Sequence, residues 1–517
     1  MHRSFPFILA VVLATMPLAI NDLCFAQAPQ KPEPQTGTAH AESETAIPEE
    51  KVSTSEHVLT LNGRAVKYLA TAGTLLLNDE SGKPYGSMFY VAYTEKGVQD
   101  EKTRPVTFLY NGGPGAASLW LHMGSVGPVR VETDSPQPTG PPPYRLVDNQ
   151  YSLLDKTDLV FVDAVGTGFS RPVGKATEKD FAGVDQDIRA FDRFITRYIT
   201  VNERWNSPKF LMGESYGTTR SAALADALQG DGIPCNGVIL VSTILNYGIH
   251  SPGFDERFIG NLPSYAAIAY YHNKLPQKPS DLKSFLEEVR AFARGPYADA
   301  LSQGDNLSKQ QADAIAAKVS AYTGLPAQYV KEANLRVDPS RFRKELLRGE
   351  EEILGRYDAR FEGTDVDAAG ETPGYDPSDT GISGAFVGAF HDYLARDLRY
   401  ETKETYLPVA RDVIRSWEWK HRTPNGDELQ LPYVAGDLAD AMRKNPKLKV
   451  FSANGLFDLA TPFFLTEFDL SHMNLDPKLR QNVQFGYYPA GHMIYLNVEA
   501  LKQLKNDLDG FYAATLH

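Results

Sequence analysis

The chain has 517 residues, of which 65 are acidic and 52 basic, for a formal net charge of −13. An acidic balance of this size disfavours nucleic acid or an anionic membrane as partner. The length allows two or three average domains, or one large α/β domain with an insertion, and it excludes a chain too small to bury a core.

Residues 1–28 combine Arg3, an apolar run from Phe5 to Ile20, and the small residues Ala26-Gln27-Ala28, the pattern of a secretory signal and its cleavage site. The run is interrupted by Pro6 and Pro17 and falls short of the about 20 apolar residues of a bilayer crossing. Cys24 follows Leu23 rather than the small residue of a lipoprotein site. An exported protein, periplasmic or secreted and free of the membrane after cleavage, is therefore expected. Only Cys235 would remain, so no internal disulfide is possible. Residues 29–55 are rich in Pro, Thr, Ala and Glu without apolar periodicity and read as a flexible linker.

Residues 56–248 read as the first part of an α/β core. Short runs between His57 and Tyr93, separated by Asn62-Gly63, Gly73 and Ser81-Gly82, suggest antiparallel strands. Pro105 to Tyr110 is a buried-strand run ending in Asn111-Gly112-Gly113-Pro114-Gly115, and Asp158 to Asp163 is another. Val184, Ile188, Phe191, Ile195 and Tyr198 repeat at helical spacing. A strand through Phe210-Leu211-Met212 then meets Gly213-Glu214-Ser215-Tyr216-Gly217, followed by a small-residue helix and a strand at Gly237 to Ser242. Strand, helix, strand in this order predicts a mostly parallel sheet with crossover helices. From 249 to 425 helix formers and charge replace the alternation, which reads as an inserted helical cap, with an independent second domain as the alternative. The α/β pattern resumes over 426–517 with strands at Leu448 to Ala453 and near Val483 to Tyr487 and a C-terminal helix.

The Gly-x-Ser-x-Gly stretch at 213–217 has the form of a nucleophile elbow, in which a strand turns sharply into a helix and exposes the serine. Glycines on both sides of Ser215 relieve the crowding of such a turn. A serine hydroxyl needs a base to take its proton, and the base needs an acid to fix its tautomer. In the order Ser, acid, His, Asp458 follows a strand on the loop Asn454 to Asp458. Of the histidines beyond it, His472 is in a helix-like stretch and His517 is terminal, which leaves His492 in the loop Pro489-Ala490-Gly491-His492-Met493. Asp163 also ends a strand, but it precedes Ser215 and reads as structural.

The motifs Asn111 to Gly115, Phe161-Val162-Asp163 with Gly168-Phe169-Ser170, Gly213 to Tyr216, Asn454 to Asp458 and Ala490 to Met493 together resemble the serine carboxypeptidase family. The resemblance implies an α/β-hydrolase fold, with a mostly parallel sheet, N-terminal antiparallel strands and an inserted cap. It also implies Ser215 as nucleophile, His492 as general acid/base, Asp458 as orienting carboxylate, and an oxyanion hole from the N–H groups of Gly113 and Tyr216. A substrate-carboxylate reader would comprise Asn111, Gly112 and Glu214. The family's second Glu is Ser125 here, which shifts activity on a free acid toward neutral pH, and its half-cystine is Ala116. The function implied is release of C-terminal residues from peptides through an acyl-enzyme. An esterase or acyltransferase, and a non-catalytic binding protein, are the competing readings. No metal motif or phosphate-binding loop is present, so no cofactor is implied.

Overall fold

Nine strands form the central sheet of the computed structural model, which describes residues 46–516. They are β1 (Val52–Leu61), β2 (Arg64–Asn78), β3 (Pro84–Glu95), β4 (Val106–Tyr110), β5 (Asp158–Val162), β6 (Lys209–Glu214), β7 (Gly237–Val241), β8 (Lys449–Gly455) and β9 (Val483–Tyr488), with Arg171–Pro172 as a two-residue addition beside β3. Their spatial order is β1-β2-β3-β5-β4-β6-β7-β8-β9. The first three are antiparallel, β5 runs against β3, and β5 onward is parallel. Asn62 and Gly63, with φ of 50° and 77°, make the tight turn between β1 and β2. Every residue of β4, β5, β6 and β7 is buried, which is why these strands read as unbroken apolar runs.

Around the sheet lie α1 (Leu119–Gly124), α2 (Val184–Val201), α3 (Tyr216–Gly230), α4 (Glu256–Tyr271), α5 (Leu282–Phe292), α6 (Lys309–Thr323), α7 (Ser383–Arg396), α8 (Ala435–Lys444), α9 (Phe463–Ser471) and α10 (Val498–Leu516). α2, α3 and α8 share one apolar cluster with β4, while α1, α7 and α10 share another on the opposite face. The sheet is thus covered on both sides and carries its loops at the strand ends.

The expected signal at 1–28 and much of the 29–55 linker lie outside the described residues. The linker's last four residues are corrected by the structure: β1 begins at Val52, which pairs with Gly73. Ordering starts earlier still, since Glu50 accepts hydrogen bonds from Leu76 N at 2.7 Å and Arg197 Nη2 at 2.7 Å. Ser53, Thr54 and Ser55 alternate between half-buried and exposed along this edge strand, and composition alone assigns such polar residues to a linker.

The insertion divides into two parts. Helices α4, α5 and α6 enclose their own apolar cluster, and Phe457, Leu459, Phe463 and Phe464 from the segment after β8 complete it. The cap's apolar cluster is thus closed in part by the chain that carries Asp458. Helix α7, although inside the expected 249–425 cap, packs Phe386, Phe390 and Tyr393 into the main core. The chain is back on the core by His421, whose ring bridges Asp185 Oδ1 at 2.7 Å and Asp437 Oδ1 at 3.0 Å in the first turns of α2 and α8.

Candidate active site

The strand ends of β6, β7, β8 and β9 face one region, and each delivers a part of the site. Ser215 stands between β6 and α3 with φ 60° and ψ −129°, a strained conformation for a residue with a side chain. The flanking glycines are required by packing. A Cβ on Gly213 would lie 2.0 Å from the Gly217 carbonyl oxygen, and one on Gly217 would lie 2.8 Å from that of Tyr110. The Ser215 N–H donates to Val241 O at 3.0 Å, and its carbonyl accepts from Thr218 N and Oγ1 at 2.8 and 2.6 Å. The nucleophile candidate is therefore fixed by its backbone on both sides.

After β8 the chain turns through Asp458, which is fully buried. Its Oδ1 accepts from Ala460 N at 2.7 Å and Thr461 N at 3.0 Å, and its Oδ2 accepts from Thr461 Oγ1 at 2.7 Å. His492 Nδ1 meets the same Oδ2 at 2.7 Å. Burial alone would raise the Asp458 carboxyl, but the charge and hydrogen bond of His492 and those of Thr461 outweigh it and hold it below the usual range. The reverse holds for His492: burial lowers it, and Asp458 and then Glu214 outweigh that and raise it. The backbone of His492 is clamped as well, its N–H donating to Tyr357 O at 2.5 Å and its carbonyl accepting from Ser242 Oγ at 2.5 Å. With Nδ1 committed to Asp458, Nε2 is the ring nitrogen left over.

The structure thus joins Asp458 to His492 directly, and it sets Ser215 at the same edge of the sheet, at the end of β6, without a hydrogen bond from Ser215 Oγ to His492. Such bonds are often long in substrate-free sites and tighten in the complex.

The Asn111 to Gly115 loop rests on the elbow. A Cβ on Gly112 would lie 2.3 Å from Gly217 N and 2.5 Å from Tyr216 N, so only glycine lets the two backbones meet. Gly113, with φ 102°, is exposed. Neither its N–H nor that of Tyr216, the first residue of α3, has an acceptor among the described residues. Two unpaired donors beside the nucleophile candidate are what an oxyanion hole requires. Arg220 of α3 holds the loop from below, its Nη1 donating to Asn111 O at 2.9 Å while its Nε and Nη2 grip Asp187 at 2.7 and 3.0 Å. Asp163, read as structural, accepts from Ser118 N at 2.7 Å, and burial pushes its carboxyl up to about 6.

The expected carboxylate reader is assembled but deep. Asn111 Nδ2 donates to Glu214 Oε1 at 2.9 Å, and both side chains are buried. Glu214 Oε2 is inaccessible and has no aligned hydrogen bond, and the Tyr495 hydroxyl faces the same carboxyl equally unaligned. Burial drives Glu214 up to about 7, against the opposing influence of His492, Tyr495 and Asn111. Ser125 does not join this group: it is fully buried and its hydroxyl donates back to Leu121 O. The Tyr495 ring fills the neighbouring space, so that a Cβ on Gly124 would lie 2.4 Å from its Cδ2.

A carboxyl raised from 4.5 to about 7 on folding releases its proton first in the unfolded chain. The stability it contributes is full below pH 4.5 and lost as pH rises to about 7, roughly 3 kcal/mol in all. Glu214→Gln should abolish that loss. Urea midpoints of both proteins at pH 4.5 and 8 measure it; the same pH slope in wild type and variant would show that Glu214 titrates normally.

Sequence reasoning missed Thr461, Tyr357, Ser242, Tyr495 and Arg220. The Asp458-x-x-Thr461 spacing is a local turn signal that could have identified Thr461. The others meet the site through long-range packing and carry no local mark.

Residues 70–278 match the family described as serine carboxypeptidase. Among curated proteins, the chain is 28% identical over 157 residues to pheromone-processing carboxypeptidase KEX1 of Saccharomyces cerevisiae, 29% of this chain and 20% of that protein. It is 26% identical over 168 residues to serine carboxypeptidase-like 29 of Arabidopsis thaliana, 32% of each. The aligned stretch therefore spans about a fifth to a third of these relatives. The crystal structure of a yeast KEX1 form, titled a prohormone-processing carboxypeptidase, superposes with a TM-score of 0.53 at 16% identity, covering 86% of this chain and 91% of that one. The fold is that of the α/β-hydrolases.

Proposed function

We propose that this chain, which matches the serine carboxypeptidase family over residues 70–278 and has the α/β-hydrolase fold, is a member of that family and releases C-terminal residues from peptides through an acyl-enzyme on Ser215. The observation that carries the reading is the 2.7 Å His492–Asp458 contact at the strand ends beside the strained Ser215. In this mechanism Ser215 Oγ attacks the scissile carbonyl carbon and gives its proton to His492 Nε2. The N–H groups of Gly113 and Tyr216 stabilise the negative oxygen of the tetrahedral intermediate. His492 then protonates the leaving amine, and a water, deprotonated by the same imidazole, hydrolyses the ester. Asp458 stays ionised throughout and stabilises the imidazolium. Export rests on Arg3, the Phe5 to Ile20 run and Ala26-Gln27-Ala28; among the described residues, no helix is long and apolar enough to cross a membrane.

An esterase or acyltransferase on the same machinery is the second reading. The deep burial of Glu214 and the turned-away Ser125 favour it, because neither offers an accessible partner to a peptide's carboxylate. Two measurements decide. A fluorophosphonate should modify Ser215, located by mass spectrometry, and folded protein that resists the reagent would remove the hydrolase reading. A blocked dipeptide with a free C-terminus should turn over at least about tenfold faster than its amide; equal rates for acid and amide, with rapid cleavage of an ester, would favour the second reading.

A further inference from the structure

The segment 355–360 of the insertion lies against both catalytic loops. Arg356 O accepts from Leu459 N at 3.1 Å, next to Asp458, and Tyr357 O accepts from His492 N at 2.5 Å. On its other side Arg356 N donates to Asp376 Oδ1 at 3.0 Å and Tyr357 N to Ser378 Oγ at 3.1 Å. The contact is tight enough that a Cβ on Gly491 would sit 2.3 Å from Tyr357 O. The backbone here is held as firmly as that of the triad candidates.

Three arginines belong to this region, and two of them are engaged. Arg343 Nε donates to Leu354 O at 2.8 Å, and Arg360 holds Asp358 at 2.6 Å and Pro489 O at 3.0 Å. The guanidinium of Arg356, half-buried, has no hydrogen bond and no ion pair among the described residues; it stands over the Tyr357 ring at 5.3 Å. That ring in turn packs 5.2 Å from the His492 imidazole. The charge of Arg356 bears on His492 and also on Tyr247. One aromatic ring, that of Tyr357, thus separates the guanidinium from the His492 imidazole.

A cation taken partly out of water without a counter-ion pays desolvation that an arriving anion repays. A planar guanidinium matches a carboxylate through two parallel N–H···O bonds. The oxygens that would otherwise read a carboxylate are withdrawn here, Glu214 into the core and Ser125 toward Leu121. We propose that Arg356 binds a substrate carboxylate beside the scissile bond, namely the free C-terminus of the peptide, and so sets specificity. This rests on the function proposed above.

Competition against fluorophosphonate labelling of Ser215 tests it without requiring peptide turnover. An N-acyl amino acid should protect wild type, and its C-terminal amide should protect at least about tenfold less well. Arg356→Gln should weaken protection by the acid about 10- to 100-fold, as expected for a charge-assisted pair, and by the amide about twofold or less; Arg356→Lys should recover part of it. Protection by an acid with a neutral side chain identifies the C-terminal carboxylate. If only an aspartyl or glutamyl side chain at the acyl position responds to the substitution, Arg356 reads that side chain and the assignment to the C-terminus is overturned. Equal protection constants in wild type and Arg356→Gln would overturn the site altogether, while labelling of Ser215 would leave the hydrolase reading standing.

Discussion

His492→Ala should lower kcat by about a million-fold and abolish fluorophosphonate labelling, with the fold unchanged by circular dichroism. The size follows from the proposed base's position: among the described residues no second imidazole stands where a proton could be taken from Ser215, and the adjacent Glu214 is buried with one oxygen accepting from Asn111. Asp458→Asn should cost about ten-thousand-fold, because an amide in place of Oδ2 favours the wrong imidazole tautomer. Thr461 Oγ1, 3.1 Å from His492 Nδ1, offers a substitute partner and sets the residual rate. Labelling of His492→Ala at the wild-type rate would show that Ser215 is activated by some other group.

Arg220 should give the largest effect on stability. It is 1% exposed, grips Asp187 with two nitrogens, and stacks on Phe191 at 4.0 Å. Arg220→Ala leaves the Asp187 carboxyl buried without its cation, a loss of about 3–5 kcal/mol. Stability and catalysis separate in the double variant Arg220→Met with Asp187→Leu. Replacing a whole buried pair by apolar side chains is about neutral in stability, yet Asn111 O still loses its donor and the Gly112–Gly113 backbone its support. Expected are a urea midpoint between those of wild type and Arg220→Ala, because Asn111 O and the Tyr216 hydroxyl each lose a buried partner, and a kcat about 100-fold down, the scale of a misplaced oxyanion donor. A double variant with full kcat would show that the pair serves stability alone.

The parallel strands were legible because burial on both faces writes an unbroken apolar run, as in Asp158 to Val162. The acid and base candidates were legible by elimination, since chain order left one aspartate after a strand and one histidine in a glycine-bearing loop. Depth was not. Nothing around Glu214 in the sequence tells that its carboxyl points into the core, because that depends on Tyr495, some 280 residues away in the chain. The position of Ser125 could be counted, but its hydroxyl's turn toward Leu121 O is a rotamer choice made by packing. Helix α7 was legible as a helix and not as part of the main core, because periodicity says that a face is apolar without saying which body covers it. The same gap hid Arg356: an unpaired arginine looks in sequence like any surface charge.

The sheet order has a consequence in time. Ser215 lies at the end of β6, and its proposed partners are carried by β8 and β9, which dock beyond β7 only after about 200 further residues have been made. At ribosomal speed that delay is roughly ten to forty seconds. A growing chain can pair β4, β5, β6 and β7 and form the elbow early, but it has no base for the serine until its last segment adds two strands. The proposed acyl-enzyme chemistry therefore waits for the two strands that complete the sheet, long after the elbow itself can form.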